Sequence, residues 1–289
     1  MNQLNLFFEL TRLKRPIGYM LLFWPCSWGL TLAYDFTNNY KLYFFYLLLF
    51  FLGSLFMRSA GCIINDIADK EFDKKVSRTK DRPIASGKIS VPVGLFYAAT
   101  LCLCALFVLI NFNKFTIILA FCSMPLAFTY PLMKRFTYWP QLFLGITFNY
   151  GLILGWTSIK NEISLIPIIL YIGAIFWTLG YDTIYGYQDI NDDEIIGVKS
   201  TSIKFKDNPK KFLFICYLIT IFAYLYIGHI MNFNYLYFAG SIIVIYHLFF
   251  FQLQKFNPKN VNNCLEIFKS NNLFGLIVLF FIFLGKINI

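Results

Sequence analysis

The sequence predicts an all-α membrane protein that crosses the bilayer nine times. Three observations carry that expectation. Of 289 residues, 58% are hydrophobic, 35 are Phe and only 14% are charged, more apolar surface than a soluble domain of this length can hide. The apolar residues form long runs along the whole chain, which excludes a soluble helical protein with one greasy core. Between the runs, the basic residues sort to one side.

A window of about 19 residues separates nine apolar segments, at 17–34, 42–64, 91–110, 115–132, 139–157, 163–181, 211–230, 234–253 and 272–287. Each is near the ~20 residues that cross ~30 Å of hydrocarbon as a helix. Pro125 and Pro131 predict a kink in the fourth, because proline removes a helical hydrogen bond. Gly151 and Gly155 form a GxxxG in the fifth, a pattern that lets two helix backbones approach closely.

With the N-terminus in the cytoplasm and nine alternating spans, twenty of the 25 basic residues fall on the cytoplasmic side. Lys41, Lys114, Lys160 and Lys286 fall on the other side, and Arg58 lies inside the second span. That asymmetry is the positive-inside rule, and adding or removing one span would destroy it. No linker or domain boundary interrupts the chain, so residues 1–289 read as a single membrane domain. The net charge of +10 belongs to these loops, and no nucleic-acid partner is expected.

The seven cysteines form no CxxC pair and mostly lie inside apolar runs, which argues against a disulfide framework or a zinc site. His229 and His247 sit in separate spans without a nearby carboxylate and read as structural. The apolar stretch after Arg12, Lys14 and Arg15 is too long for a secretory signal and lacks a cleavage site.

Eleven of the 15 acids lie in two loops on the predicted cytoplasmic side. The first carries Asn65, Asp66, Asp69 and Asp73. If the second helix continues past the membrane edge, Asn65, Asp69 and Asp73 share one face at i, i+4, i+8. Carboxylates stacked this way repel, so either some hold a proton or a cation sits between them. An oxygen-only set selects a hard ion, Mg²⁺ or Mn²⁺. The second loop repeats the pattern with Asp182, Tyr185, Asp189, Asp192 and Asp193 after the sixth span. Two such faces at one membrane surface can hold cations that bind a diphosphate.

Bases accompany the acids. Arg78, Lys80 and Arg82 follow the first face, Lys134 and Arg135 occupy the next short loop, and Lys199 follows the second face. Arginine grips phosphate or carboxylate oxygens with two bonds, whereas lysine supplies a point charge. A charge inside the bilayer is costly, which marks Arg58, two turns before Asn65, as a substrate-binding candidate.

The segment from Met57 to Asp73, with Asn65-Asp66-Ile67-Ala68-Asp69 and Asp73, resembles the NDxxDxxxD motif of the UbiA prenyltransferases. Arg78-Thr79-Lys80-Asp81-Arg82-Pro83, continuing to Ser86-Gly87, is similar to that family's following stretch. Tyr181-Asp182 through Asp189, Asp192 and Asp193, then Gly197-Val198-Lys199-Ser200-Thr201, is similar to its second motif. Tyr130-Pro131-Leu132-Met133-Lys134-Arg135 with Pro140-Gln141, and Arg15-Pro16-Ile17-Gly18 with Trp24-Pro25, resemble the branch that prenylates 4-hydroxybenzoate. One departure is Ile196, where many archaeal members carry a last acid, a place that Asp193 would fill.

The resemblance implies nine helices around a central cavity open to lipid, with both motifs at its cytoplasmic mouth. It implies Mg²⁺ as cofactor, and a polyprenyl diphosphate, an aromatic acceptor such as 4-hydroxybenzoate and membrane lipid as partners. Asn65, Asp66, Asp69, Asp73, Asp182, Asp189, Asp192 and Asp193 are the expected metal-holding set. Arg58, Asn65, Arg78, Arg82, Lys134, Tyr185 and Lys199 are expected to bind substrate. Asp69, Asp73, Asp189, Asp193 and Arg135 would carry the chemistry. Within the family, a haem, menaquinone-headgroup or other prenyltransferase would share the diphosphate machinery and differ in its acceptor pocket, which the acidic motifs do not define. A divalent-cation transporter is the competing class, but it would place its ionisable groups near the bilayer midplane, not at one surface. Richness in Lys, Asn, Ile and Phe, with no visible transit segment, suggests a bacterial inner membrane.

Overall fold

The computed structural model describes residues 3–37 and 39–287, and every element in it is helical. In chain order these are α1 (Gln3–Thr11), α2 (Ile17–Ala33), α3 (Tyr40–Ala68), α4 (Lys70–Asp73), α5 (Val91–Leu109) and α6 (Lys114–Thr129). A 3₁₀ turn, Tyr130–Leu132, leads into α7 (Met133–Phe136), α8 (Pro140–Asn149), α9 (Gly151–Lys160), α10 (Leu165–Gly186), α11 (Ile190–Ile196) and α12 (Thr201–Lys204). The chain ends with α13 (Pro209–Ile230), α14 (Tyr235–Ile245), a π-helical stretch Tyr246–Gln254, and α15 (Val261–Lys286).

Eight of these helical units are long and apolar enough to span a bilayer. The 17-residue α2 is the ninth apolar helix, so nine spans hold among the described residues. Asparagine side chains cap four of them: Asn39, Asn113, Asn234 and Asn260 accept backbone N–H bonds at the starts of α3, α6, α14 and α15. Such caps satisfy donors that a helix start leaves unpaired.

Three span boundaries differ from the sequence expectation. α6 continues through Pro125 as α-helix, and the chain changes to a 3₁₀ turn over Tyr130–Leu132, around Pro131. The fifth span is broken at Tyr150 into α8 and α9. The last helix starts at Val261 instead of residue 272, because Cys264, Ile267 and Asn271 bury against the bundle. Its Asn-rich first turns, which also carry Glu266 and Lys269, lower the local hydropathy without lowering this packing.

α2 runs through the middle, packed on α3, α9 and α15, while α10 packs on α8, α13 and α15. The α2–α9 contact is a backbone contact. A Cβ at Gly155 would meet Leu30 N at 2.6 Å and the Cys26 carbonyl closer still, and one at Gly29 would overlap the Leu152 backbone. The GxxxG therefore does make a close crossing. Polar bonds fix the register deeper in: Trp28 Nε1 donates to Gly275 O (2.9 Å) and Trp177 Nε1 to Asn271 Oδ1 (2.7 Å). On the outside, Phe96, Phe107, Phe121 and Phe222 are exposed, as a lipid-facing surface requires. Cys26, Cys62, Cys216 and Cys264 are buried, Cys122 is exposed and none of the seven is in a disulfide; His247 is buried beside Gln252 at 3.2 Å, whereas His229 is exposed.

The short α1 turns its Leu6 and Leu10 onto Ala60 and Ile63 of α3, with Phe7 edge-on to Tyr97 at 5.2 Å. This docking places Arg12, in a left-handed backbone conformation (φ 56°), beside the first acidic motif.

Candidate active site

The first motif sits where α3 ends. Asp69 (φ −97°, ψ 6°) interrupts the helix, yet its N–H donates to Asn65 O (2.9 Å) and the Asp73 N–H donates to Asp69 O (2.8 Å). The i, i+4 phase survives the break, so Asn65, Asp69 and Asp73 stay on one side as expected. Asp66, Asp69 and Asp73 are all buried. Burial of three carboxylates is tolerable only with partners, and bases from distant segments supply them. Arg82 Nη1 donates to Asp66 Oδ1 (3.1 Å) and Asp73 Oδ2 (2.8 Å), and Arg12 Nη2 donates to Asp66 Oδ1 (2.5 Å). Lys134 Nζ donates to Asp69 Oδ2 (2.6 Å). Arg135 donates to the Ala68 carbonyl (2.6 Å) and lies 3.7 Å from Asp69 Oδ1. Burial raises the Asp73 pKa above the usual carboxylate value, against the opposing pull of Arg82.

The second motif straddles the end of α10. Asp189 follows the helix, Asp193 N–H donates back to Asp189 O (2.8 Å), and Gly197 (φ 75°) closes α11 in a conformation glycine adopts without strain. Arg78 reaches across from the segment after the first motif. Its Nε donates to Asp189 Oδ1 (2.7 Å), Nη2 to Asp189 Oδ2, and Nη1 to the Tyr185 hydroxyl (3.4 Å). The Ser77 N–H donates to Asp192 Oδ2 (3.3 Å). The Asp193 carboxyl is pushed up to about 6, by burial first and then by the charge of Asp189, with Lys134 pulling the other way. Lys199 touches no carboxylate among the described residues: its N–H donates to Lys134 O (2.8 Å) and its Nζ to Phe136 O (3.3 Å). Its place is to hold the Lys134–Arg135 turn against the second motif. Two motifs more than a hundred residues apart thus form one site at one end of the bundle.

Two residues depart from the sequence picture. Arg12, which sequence reasoning left as an ordinary positive-inside base, bonds the most buried carboxylate of the site. Only the docking of α1 brings it there, so no local signal marks it. Asp182, expected among the metal-holding acids, stands apart from the others. It belongs to α10, seven residues before Asp189, and makes no ion pair or hydrogen bond among the described residues.

Arg58 also lies deeper. It makes no ion pair among the described residues, its Nε is buried without an acceptor, and its guanidinium lies 5.2 Å over the Phe148 ring. A Cβ at Gly18 would sit 2.9 Å from Nε, so the glycine of the Arg15–Gly18 stretch leaves room for this side chain.

The donor set fits a hard divalent cation. It is made only of carboxylate, amide and hydroxyl oxygens, and Asp69 Oδ1 is a buried anionic oxygen that accepts no hydrogen bond. Among the described residues no three acidic groups converge on one point, because Arg12, Arg78, Arg82 and Lys134 hold the carboxylates.

Comparison with known proteins agrees with this arrangement. The model of the UbiA prenyltransferase family matches residues 22–283. The mitochondrial 4-hydroxybenzoate polyprenyltransferase of Rattus norvegicus is 40% identical over 285 residues, covering 97% of this chain and 75% of that protein. The 4-hydroxybenzoate geranyltransferase 1 of Lithospermum erythrorhizon is 41% identical, covering 96% of this chain and 90% of that one. The fold matches a UbiA homologue from Aeropyrum pernix with a TM-score of 0.75 at 19% identity, over 91% and 96% of the two chains. It also matches an Archaeoglobus fulgidus UbiA homologue solved with geranyl diphosphate and Mg²⁺, with a TM-score of 0.71 at 18% identity, over 97% and 98%. Nine apolar helices among the described residues, two acidic motifs joined at one end and a sequence match across nearly the whole chain make this protein a member of the UbiA prenyltransferase family.

Proposed function

We propose that the protein transfers a polyprenyl group from its diphosphate to the ring of 4-hydroxybenzoate, a step in ubiquinone biosynthesis. The observation that carries this reading is the joining of the two acidic motifs through Arg78 and Asp189, with an unpaired arginine, Arg58, behind them. Relatives of that name at about 40% identity support it.

Mg²⁺ held by Asp69, Asp73, Asp189 and Asp193, with Asn65, Asp66 and Asp192 in support, would neutralise the departing diphosphate. Around it, Arg78 and Arg82 offer paired N–H groups and Lys134 a point charge to the phosphate oxygens, while the Tyr185 hydroxyl steadies Arg78. Arg135, anchored on the Ala68 carbonyl beside Asp69, would meet either substrate. Arg58 suits the acceptor. Its buried Nε lacks an acceptor, a benzoate carboxylate can take two of its bonds, and Phe148 offers a ring face beside it. The allylic carbon of the prenyl chain then bonds to the ring carbon ortho to the hydroxyl, and that carbon gives up its proton. We place the acidic end on the cytoplasmic side of a bacterial inner membrane. The basic residues favour that side, although several relatives are mitochondrial.

The test is an assay of purified protein with Mg²⁺, a prenyl diphosphate and a panel of aromatic acceptors. Prenylated 4-hydroxybenzoate as the main product is the expected result. Transfer to another acceptor, with none to 4-hydroxybenzoate, would overturn the acceptor, and no transfer to any would overturn the activity.

A further inference from the structure

Thr178, Asp182 and Tyr185 are spaced i, i+4, i+7 along α10 and form one stripe. At its near end the Tyr185 hydroxyl accepts from Arg78, which grips Asp189. At its far end the Thr178 hydroxyl accepts from Asn149 Nδ2 (2.8 Å). Asn149 follows Phe148, the ring beneath Arg58 at 5.2 Å, and Tyr130 lies edge-on to Phe148 at 6.3 Å. Asp182 is one turn from Thr178, so these contacts bring it to the depth of Arg58 and Phe148.

Two further observations characterise this place. Neither Arg58 nor Asp182 makes an ion pair among the described residues. Both side chains are partly exposed. The carboxylates at the diphosphate end are otherwise engaged: Asp66, Asp69, Asp73 and Asp189 each hold an arginine or lysine, and Asp192 holds a backbone N–H. Asp193 carries no ion pair among the described residues either, but it sits on α11 with the diphosphate-end acids. Asp182 is the free carboxylate beside the acceptor slot.

We propose that Asp182 is not a metal ligand but the catalytic base that takes the ring proton of the acceptor. The inference rests on the 4-hydroxybenzoate reading above. With the acceptor carboxylate on Arg58 and its ring over Phe148, the far edge of the ring is directed along the stripe toward Asp182. When the allylic carbon bonds to the ring, the carbon–oxygen bond to the diphosphate breaks and diphosphate leaves. The ring carbon then carries both the new bond and its original hydrogen. Asp182 takes that hydrogen as a proton, and the C–H electron pair returns to the ring and restores its aromaticity.

The experiment compares wild type with Asp182→Asn, using geranyl diphosphate, Mg²⁺, and 4-hydroxybenzoate either ordinary or deuterated at the two positions ortho to the hydroxyl. Equilibrium binding of geranyl diphosphate is measured alongside. The expected result is intact geranyl diphosphate binding and a kcat lowered by about 10²-fold or more. A primary isotope effect, absent in wild type, should accompany it because proton removal has become the slow step. A merely structural or metal-holding role would not create that isotope effect. Unchanged kcat, slowed turnover without an isotope effect, or loss of geranyl diphosphate binding would each overturn the proposal. Should the variant not accumulate, Asp182→Glu is read by the same criteria. If wild type fails to prenylate 4-hydroxybenzoate at all, the functional reading itself fails and this inference falls with it.

Discussion

Replacing Arg58 by lysine keeps the charge and removes the fork. In the structure Arg58 Nε is buried without an acceptor, and the guanidinium rests 5.2 Å over Phe148. The group therefore already bears the cost of desolvation and returns it only when an anion arrives. Lysine can still meet that anion and the ring face, but through one ammonium. The loss is at least one charge-assisted hydrogen bond, worth about 1.5–3 kcal/mol, which converts to roughly 10- to 150-fold in apparent affinity. The diphosphate end should be spared, because Asp66 is held by Arg12 and Arg82 and Asp189 by Arg78. Arg58→Lys should thus raise KM for the aromatic acid by that factor and leave KM for the prenyl diphosphate nearly unchanged. Steady-state kinetics with each substrate varied in turn makes the measurement. A rise in the diphosphate KM alone would assign Arg58 to the diphosphate and refute the reasoning.

Activity should vanish with a chelator and return with Mg²⁺ or Mn²⁺. Asp69→Ala or Asp189→Ala should lower turnover by about 10²-fold or more in protein that still accumulates in the membrane, and full activity in either variant would remove that residue from the site. Gly155→Ala places a methyl against backbone atoms of α2 that cannot swing away and should cost about 1–3 kcal/mol. Gly61→Ala, with open space around it, should not, and thermal denaturation in detergent distinguishes the two. Reporter fusions should place the loops around Asp69, Arg135 and Asp189 on one face of the membrane and the C-terminus on the other. Acidic loops on opposite faces would break the nine-span topology.

Some of this protein was legible because the signal is local. A span is announced by its own hydropathy, so all nine were found, most with ends within a few residues. The two acidic motifs were legible for the same reason: helical spacing alone puts Asn65, Asp69 and Asp73 on one side, and the helix keeps that phase through its break at Asp69. Gly151 and Gly155 also announced a close crossing, but not that Cys26, Gly29 and Leu30 of α2 would be on its other side.

What only the tertiary structure decided is which charge meets which. Arg78 pairs with Asp189, Lys134 with Asp69, and Arg12 with Asp66, partners that no spacing within one segment can reveal. The same holds for the start of α15, where Asn271 bonds Trp177: a polar stretch that a hydropathy window rejects becomes helix because a neighbour satisfies it. Asp182 shows the limit most clearly. Its spacing in sequence groups it with the acids expected to hold metal, while the Asn149–Thr178 bond ties its part of α10 to the neighbour of Phe148, the ring under Arg58. Hydropathy and periodicity belong to a single helix. The pairing of charges and the chemistry it permits depend on how helices pack, and that is fixed only when distant segments bury one another.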